Sequence, residues 1–258
     1  MYFAGIDAGS TYCKCVILED NDILGSFISP IEGNPTEAAK KTLKEALASL
    51  NIKEKQLSKI ITTGRNRKKV SLKNEEMTEI LSISKGIFSL MPSVRTIIDV
   101  GGFTNKAIKL NNSGKVMDYV INARCASGSG YFLELVSKAL ELKDISELTK
   151  IAQKSKNPLS ITSNCSIFAE SEVIYLVNEG KNDFDIAAGV CNSIASRLIS
   201  LLKKLNYEND VVLTGGVAKI TQIKLNLEDR LDLKIKDIPI DPIFIAAHGA
   251  AQYAKDIP

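Results

Sequence analysis

An apolar stretch, a short turn built on aspartate and glycine, and a second apolar stretch occur twice in this chain. The first copy runs from Tyr2 to Leu18 and turns at Gly5-Ile6-Asp7-Ala8-Gly9-Ser10-Thr11; the second runs from Thr96 to Ile108 and turns at Asp99-Val100-Gly101-Gly102-Phe103-Thr104. Each reads as a β-hairpin with its acidic residue at the end of the first strand. A weak internal repeat of this kind, in a chain of 258 residues, fits two smaller domains better than one continuous core. The boundary falls at Met91 to Arg95, giving residues 1–93 and 94–258, with the last helix expected to pack back towards the first domain.

The rest of the pattern is α/β. Asn34-Pro35-Thr36-Glu37 starts a helix whose apolar face is Ala38, Ala39, Leu43, Ala46, Leu47 and Leu50, and Lys59 to Gly64 is a short strand ending in glycine. Glu75 to Leu90 has helical spacing, so the first half reads β-β-α-β-α. In the second half Val116 to Ile121 reads as a strand. Gly130 to Glu141, Ile145 to Ser155, Ala169 to Asn178 and Ile186 to Leu205 read as helices. Asp210 to Val217 is a buried-type strand stopped by two glycines, Leu233 to Ile238 a further strand, and Ile243 to Ala254 a closing helix.

The turns are suited to phosphate. Glycines let backbone N–H groups approach phosphate oxygens, Ser10, Thr11 and Thr104 add hydroxyl donors, and Asp7 and Asp99 are suited to holding Mg²⁺ directly or through water. Lys14 is placed to add a point charge, and Gly101 and Gly102 leave backbone bare. Either turn taken singly is equally a tight hairpin, since Gly and Asp are common turn residues. The third element, Thr214-Gly215-Gly216-Val217-Ala218, suits a nucleoside lying flat on exposed backbone. The three in this order resemble the ATPase superfamily of acetate and sugar kinases, heat-shock chaperones and actin. That resemblance implies two ribonuclease H-like (actin-like ATPase) domains with a nucleotide cleft between them. No G-x-x-x-x-G-K-[ST] loop is present, nor a G-x-G-x-x-G fingerprint after the first strand.

Two cysteines lie just ahead of expected helices: Cys125 in Asn122-Ala123-Arg124-Cys125-Ala126-Ser127-Gly128-Ser129-Gly130 and Cys165 in Ser163-Asn164-Cys165-Ser166-Ile167-Phe168-Ala169-Glu170. A helix N-terminus favours thiolate, although buried free cysteines of purely structural role are common. The wording around them is more specific. G-I-D-A-G-S-T-x-x-K-C, I-D-V-G-G, C-A-S-G-S-G-x-F-L, S-N-C-S-I-F-A-E-S-E-V-I, T-G-G-V-A-K and the closing A-x-G-A-A resemble the activator (component A) family of 2-hydroxyacyl-CoA dehydratases, the BadF/BadG/BcrA/BcrD ATPase family, over nearly the whole chain. The resemblance implies an ATPase that binds ATP/ADP and Mg²⁺ through Asp7, Gly9, Ser10, Thr11, Lys14, Asp99, Gly101, Gly102, Thr104, Gly215 and Gly216. It also implies a homodimer holding one 4Fe-4S cluster between Cys125 and Cys165 of both subunits. Its partners would be an iron-sulfur dehydratase or reductase as electron acceptor and a ferredoxin or flavodoxin as donor. A small-molecule kinase of the same superfamily, or an ATP-binding scaffold, is the alternative.

The chain departs from the family where hydrolysis is concerned: members carry D-I-G-G-Q-D at the second turn, and Phe103 and Thr104 stand at the Gln and Asp positions. Hydrolysis is therefore expected to be slow or differently arranged. A Cys-His pair common after the M-x-E segment is replaced by Leu81-Ser82-Ile83-Ser84. Lys and Arg number 33 against 30 acidic residues, a net charge of +3 that names neither nucleic acid nor an anionic membrane as partner. With no long apolar run and no basic leader at the N-terminus, a cytoplasmic location is expected. Cys13 and Cys15 share a strand face, Cys191 sits in an apolar helix and His248 lies beside Gly249; packing is the expected role of all four. The Arg65-Asn66-Arg67-Lys68-Lys69 run reads as a solvated loop or a dock for an acidic partner.

Overall fold

The computed structural model describes residues 1–122, 130–161 and 166–257. The chain divides into two compact units, one of Met1–Val94, Leu110–Met117 and Ile238–Pro258, the other of Arg95–Lys109 and Asp118–Asp237.

In the first unit β1 (Tyr2–Ala8), β2 (Tyr12–Glu19) and β3 (Asp22–Pro30) form an antiparallel meander, and β4 (Leu57–Thr63) and β5 (Glu75–Glu76) add in parallel on the other side of β1. The order is β3-β2-β1-β4-β5. Both faces of the central strands are buried, so side chains sort by the two-residue period of a strand. Ala4, Ile6 and Ala8 of β1 with Cys13, Cys15 and Ile17 of β2 pack on α1 (Pro35–Ser49) through Ala39, Leu43 and Ala46. Phe3, Val16 and Leu18 pack on α8 (Ile245–Asp256) through Ala247, Ala250 and Ala251. Small residues let α8 lie close: a Cβ at Gly5 would collide with the Ala247 carbonyl. Helix α1 starts as its sequence dictates, with Asn34 Oδ1 accepting from the Thr36 N–H at 2.9 Å and Pro35 in the first turn.

In the second unit β6 (Thr96–Val100) pairs antiparallel with β7 (Asn105–Leu110) and parallel with β9 (Val211–Thr214), in the order β10-β9-β6-β7-β8, where β8 is Val116–Ile121 and β10 is Ile235–Lys236. The five-strand order of the first sheet is thereby repeated. Its core is one apolar mass around α6 (Asp183–Leu205), whose Val190, Ile194, Leu198 and Leu202 meet Ile98 and Leu213 of the sheet, Leu148 of α4 (Glu147–Ala152), and Ile223 and Leu227 of α7 (Thr221–Leu231). Helix α6 is long and apolar enough to cross a membrane by length and composition, and most of it is buried in this core.

Four local expectations need correction. Strand β3 and helix α7 were not expected from the sequence. β3 is an edge strand interrupted by Gly25, and α7 buries only Ile223 and Leu227, too narrow a stripe to stand out. Glu75 and Glu76 form strand rather than helix, because Asn74 and Met77 donate backbone N–H bonds to Ile60 and Thr62 of β4 at 2.8 and 2.9 Å. Helix α2 (Glu79–Leu90) therefore begins at the Thr78 cap. The expected strand at Asp210 to Val217 stops at Thr214, and Gly216–Lys219 coils into a 3-10 turn.

Candidate nucleotide site

The two acidic turns have the same geometry. Asp7 lies opposite Lys14 across β1 and β2, with Nζ 2.9 Å from Oδ2; Asp99 lies opposite Lys106 across β6 and β7, with Nζ 2.8 Å from Oδ2. Two residues on, the Gly9 N–H donates to the Tyr12 carbonyl at 3.1 Å and the Gly101 N–H to the Thr104 carbonyl at 3.0 Å. The parallel neighbour repeats as well. Strand β4 ends in Thr63-Gly64 with Thr63 opposite Asp7, and β9 ends in Thr214-Gly215 with Thr214 opposite Asp99. Gly64 has φ +90° and Gly215 φ +87°, a backbone only glycine adopts freely. A Cβ at Gly64 would strike Asp7 Oδ1 and the Ala8 carbonyl, and one at Gly215 the Val100 carbonyl. These are carboxyl ends of adjacent parallel strands, where α/β sheets take their ligands.

Each unit then adds something the other lacks. In the first, Ser10 is exposed and Thr11 half-buried. Asn66 ties the segment after β4 to the turn, its N–H donating to the Ala8 carbonyl at 2.9 Å and its Nδ2 to the Gly9 carbonyl at 2.6 Å. In the second, the helix α3 (Gly130–Ala139) uses its first N–H groups, otherwise without intrahelical partners, on the turn. Gly130 donates to the Gly101 carbonyl at 2.9 Å and Tyr131 to the Gly102 carbonyl at 3.0 Å. Phe103 stacks on Tyr131, ring centroids 4.9 Å apart and planes at 21°.

The expected residues Asp7, Gly9, Ser10, Thr11 and Lys14 are thus gathered in one unit, and Asp99, Gly101, Gly102, Thr104, Gly215 and Gly216 in the other. Lys14 is engaged by Asp7. Sequence reading missed Lys106, Thr63, Gly64 and Asn66. The signals were present: an Asp followed seven positions later by Lys, and a Thr-Gly pair closing a strand, each occur in both halves. A phosphorylated ligand with Mg²⁺ fits this donor set. Backbone is bared at the glycines, hydroxyls flank the first turn, and Thr63 Oγ1 is buried with no hydrogen-bond partner among the described residues. Each carboxylate is neutralised by its lysine, which suits holding a hydrated cation rather than a bare one.

Cys125 and Cys165 lie outside the described residues. Cys13, Cys15 and Cys191 are buried free thiols. Burial pushes Cys13 up to about 11 and Cys191 to about 12, and Cys15 further still, so none is a thiolate near neutrality. Among the described residues no group of three His, Cys, Asp or Glu is arranged to hold a metal.

The profile of the BadF/BadG/BcrA/BcrD ATPase family matches residues 4–254. The chain is 35% identical over 256 residues to the 2-hydroxyisocaproyl-CoA dehydratase activator of Clostridioides difficile, covering 99% of this chain and 96% of that protein. It is 35% identical over 255 residues to the (R)-2-hydroxyglutaryl-CoA dehydratase activating ATPase of Acidaminococcus fermentans, covering 98% and 97%. The solved structure of the activator of the 2-hydroxyisocaproyl-CoA dehydratase from Clostridium difficile with bound ADPNP superposes with a TM-score of 0.92 at 36% identity, over 99% of this chain and 95% of that one. The fold is that of the actin-like ATPases.

Proposed function

The chain belongs to the BadF/BadG/BcrA/BcrD ATPase family, and within it we propose an ATP-dependent iron-sulfur activator that delivers one low-potential electron to a 2-hydroxyacyl-CoA dehydratase, a benzoyl-CoA reductase or a related iron-sulfur enzyme. The observation that carries this is the repeated arrangement of Asp, Lys and Thr-Gly at the carboxyl ends of paired strands, in a chain whose relatives are named dehydratase activators. Asp7 and Asp99 hold the hydrated Mg²⁺ of the nucleotide, Lys14 and Lys106 fix those carboxylates, and Gly9, Ser10, Thr11, Gly101, Gly102 and Thr104 receive phosphate oxygens. Gly215 and Gly216 leave room for the nucleoside. Water attacks the terminal phosphorus and ADP leaves.

Cys125 and Cys165 of two subunits supply the four thiolates of one 4Fe-4S cluster, which when bound supplies one-electron chemistry. Helices α3 and α5 (Ser166–Asn178) begin at Gly130 and Ser166, shortly after these cysteines, and their positive ends favour added negative charge. The Gly130 and Tyr131 N–H bonds to the second turn link the nucleotide state to the start of α3. Ferredoxin or flavodoxin is the donor, in the cytoplasm.

Iron and acid-labile sulfide, measured on protein purified without oxygen, test the reading. About four irons per dimer are expected, lost in Cys125→Ser or Cys165→Ser while nucleotide binding survives. Metal-free protein after anaerobic reconstitution would end the electron-transfer reading, and phosphorylation of a sugar hydroxyl by that protein would make it a kinase.

A further inference from the structure

We propose that Arg65 is the cation that holds the terminal phosphate of the bound nucleoside triphosphate, so that the first unit distinguishes triphosphate from diphosphate. The proposal rests on the nucleotide reading above and adds the residue that reads the nucleotide's charge. Arg65 opens the basic run Arg65-Asn66-Arg67-Lys68-Lys69, which is not the loosely solvated loop its composition suggests. The residues on either side of it are fixed to the first turn. Gly64 is wedged against Asp7 and Ala8 with φ +90°. Asn66 donates to the Ala8 and Gly9 carbonyls at 2.9 and 2.6 Å. A residue held between two such anchors has a fixed backbone beside the turn that carries Asp7 and Ser10.

Charge pairing separates Arg65 from Arg67 and Lys73. Glu76 faces Arg67, with Nε 3.8 Å from Oε1, and is hydrogen-bonded by Lys73. The Lys73 hydrogen bond holds the Glu76 carboxyl below its usual range, so it stays charged. Arg67 also donates to the Gly64 carbonyl at 3.2 Å. Arg65 is exposed, and its guanidinium makes no hydrogen bond or ion pair among the described residues. A planar fork of donors left uncompensated beside a phosphate-type turn suits bidentate binding of a phosphoryl group.

The repeat supports the assignment. After Gly215 the second unit continues with a turn in which the Ala218 N–H donates to the Gly215 carbonyl at 3.2 Å; after Gly64 the first unit does the same, the Arg67 N–H donating to the Gly64 carbonyl at 3.3 Å. Arg65 therefore stands where the second unit has Gly216. One copy of the turn presents bare backbone and the other a cation.

Equilibrium binding of Mg²⁺ADPNP and Mg²⁺ADP to the full-length protein decides the matter, with wild type, Arg65→Ala, Arg65→Lys and Lys68→Ala compared at fixed ionic strength. Loss of a charge-assisted bond predicts that Arg65→Ala weakens ADPNP roughly tenfold or more and leaves ADP within about twofold. Arg65→Lys should recover part of the loss and Lys68→Ala should change neither ligand. Equal weakening of both ligands, no weakening, or the same loss in Lys68→Ala would overturn the assignment while leaving the nucleotide reading standing. A wild-type protein that binds neither nucleotide would overturn that reading and this one with it.

Discussion

Thr11 and Phe103 occupy the same place in two turns that otherwise bond alike, four residues after an aspartate that is paired with a lysine on the next strand. The first turn is flanked by hydroxyls and by the anchored Arg65 segment; the second is flanked by an aromatic stack and by the start of α3. The common part is set by backbone geometry: antiparallel register fixes Asp opposite Lys, and the parallel neighbour demands a glycine with positive φ where it turns away. The differing part is side chains added to that frame, and there the two halves diverge. The cores differ too. The first unit clasps its sheet between α1 and α8, whereas the second builds one apolar mass around α6.

The largest expected effect separates the two ion pairs. The Lys106 side chain is 4% exposed and that of Lys14 is 14%, while the two carboxylates are buried alike, so Lys106→Met breaks the ion pair whose ammonium is the more deeply buried. It should cost about 3–5 kcal/mol in urea denaturation; Lys14→Met should cost less, about 1–3 kcal/mol. Equal costs would mean that burial does not distinguish the turns.

The next effect belongs to the first unit alone. His248 is buried on α8, with Nε2 3.0 Å from Ser89 Oγ and Nδ1 without a hydrogen-bond partner among the described residues. Burial lowers it from 6.5 to about 4. The unfolded chain thus takes up the proton first on acidification. Stability from this residue is complete above pH ~6.5 and falls as pH drops towards about 4. The slope is about 1.4 kcal/mol per pH unit and the total about 3 kcal/mol. Denaturation midpoints between these limits should show the slope, and His248→Gln should flatten it.

The smallest change in stability carries the most functional information. Phe103→Gln removes an exposed aromatic stack, costing under about 1.5 kcal/mol. Restoring the residue that the family carries there should raise ATP turnover on the order of tenfold or more. Unchanged turnover at saturating ATP would show that the second turn does not limit hydrolysis.

Much of this was legible in the residues. The twin hairpins follow from apolar runs broken by Asp and Gly, and α1 from Asn34-Pro35 ahead of a regular apolar stripe. The burial of Cys13 and Cys15 on one face follows from the two-residue period of β2. Other features were not legible. Ile23, Leu24 and Phe27 alternate too weakly around Gly25 to announce an edge strand, and Glu75-Glu76 joined the sheet against helical spacing because β4 offered it hydrogen-bond partners. At the site, Asp7, Gly9 and Gly101 could be named from the turn motifs and Lys106 from the repeated Asp-to-Lys spacing, whereas Asn66 could not.

The sequence by itself determined the repeated strand-turn-strand unit, the helix caps and the family, because these depend on local spacing and on motifs contiguous in the chain. Only the tertiary structure decided that Thr63 sits beside Asp7, that Asn66 ties the basic run to the phosphate-type turn, and that α8, 237 or more residues further on than β1, packs against it. Pairing between distant strands and the packing of one helix on another's small residues depend on registers and volumes that emerge only when the whole sheet is assembled.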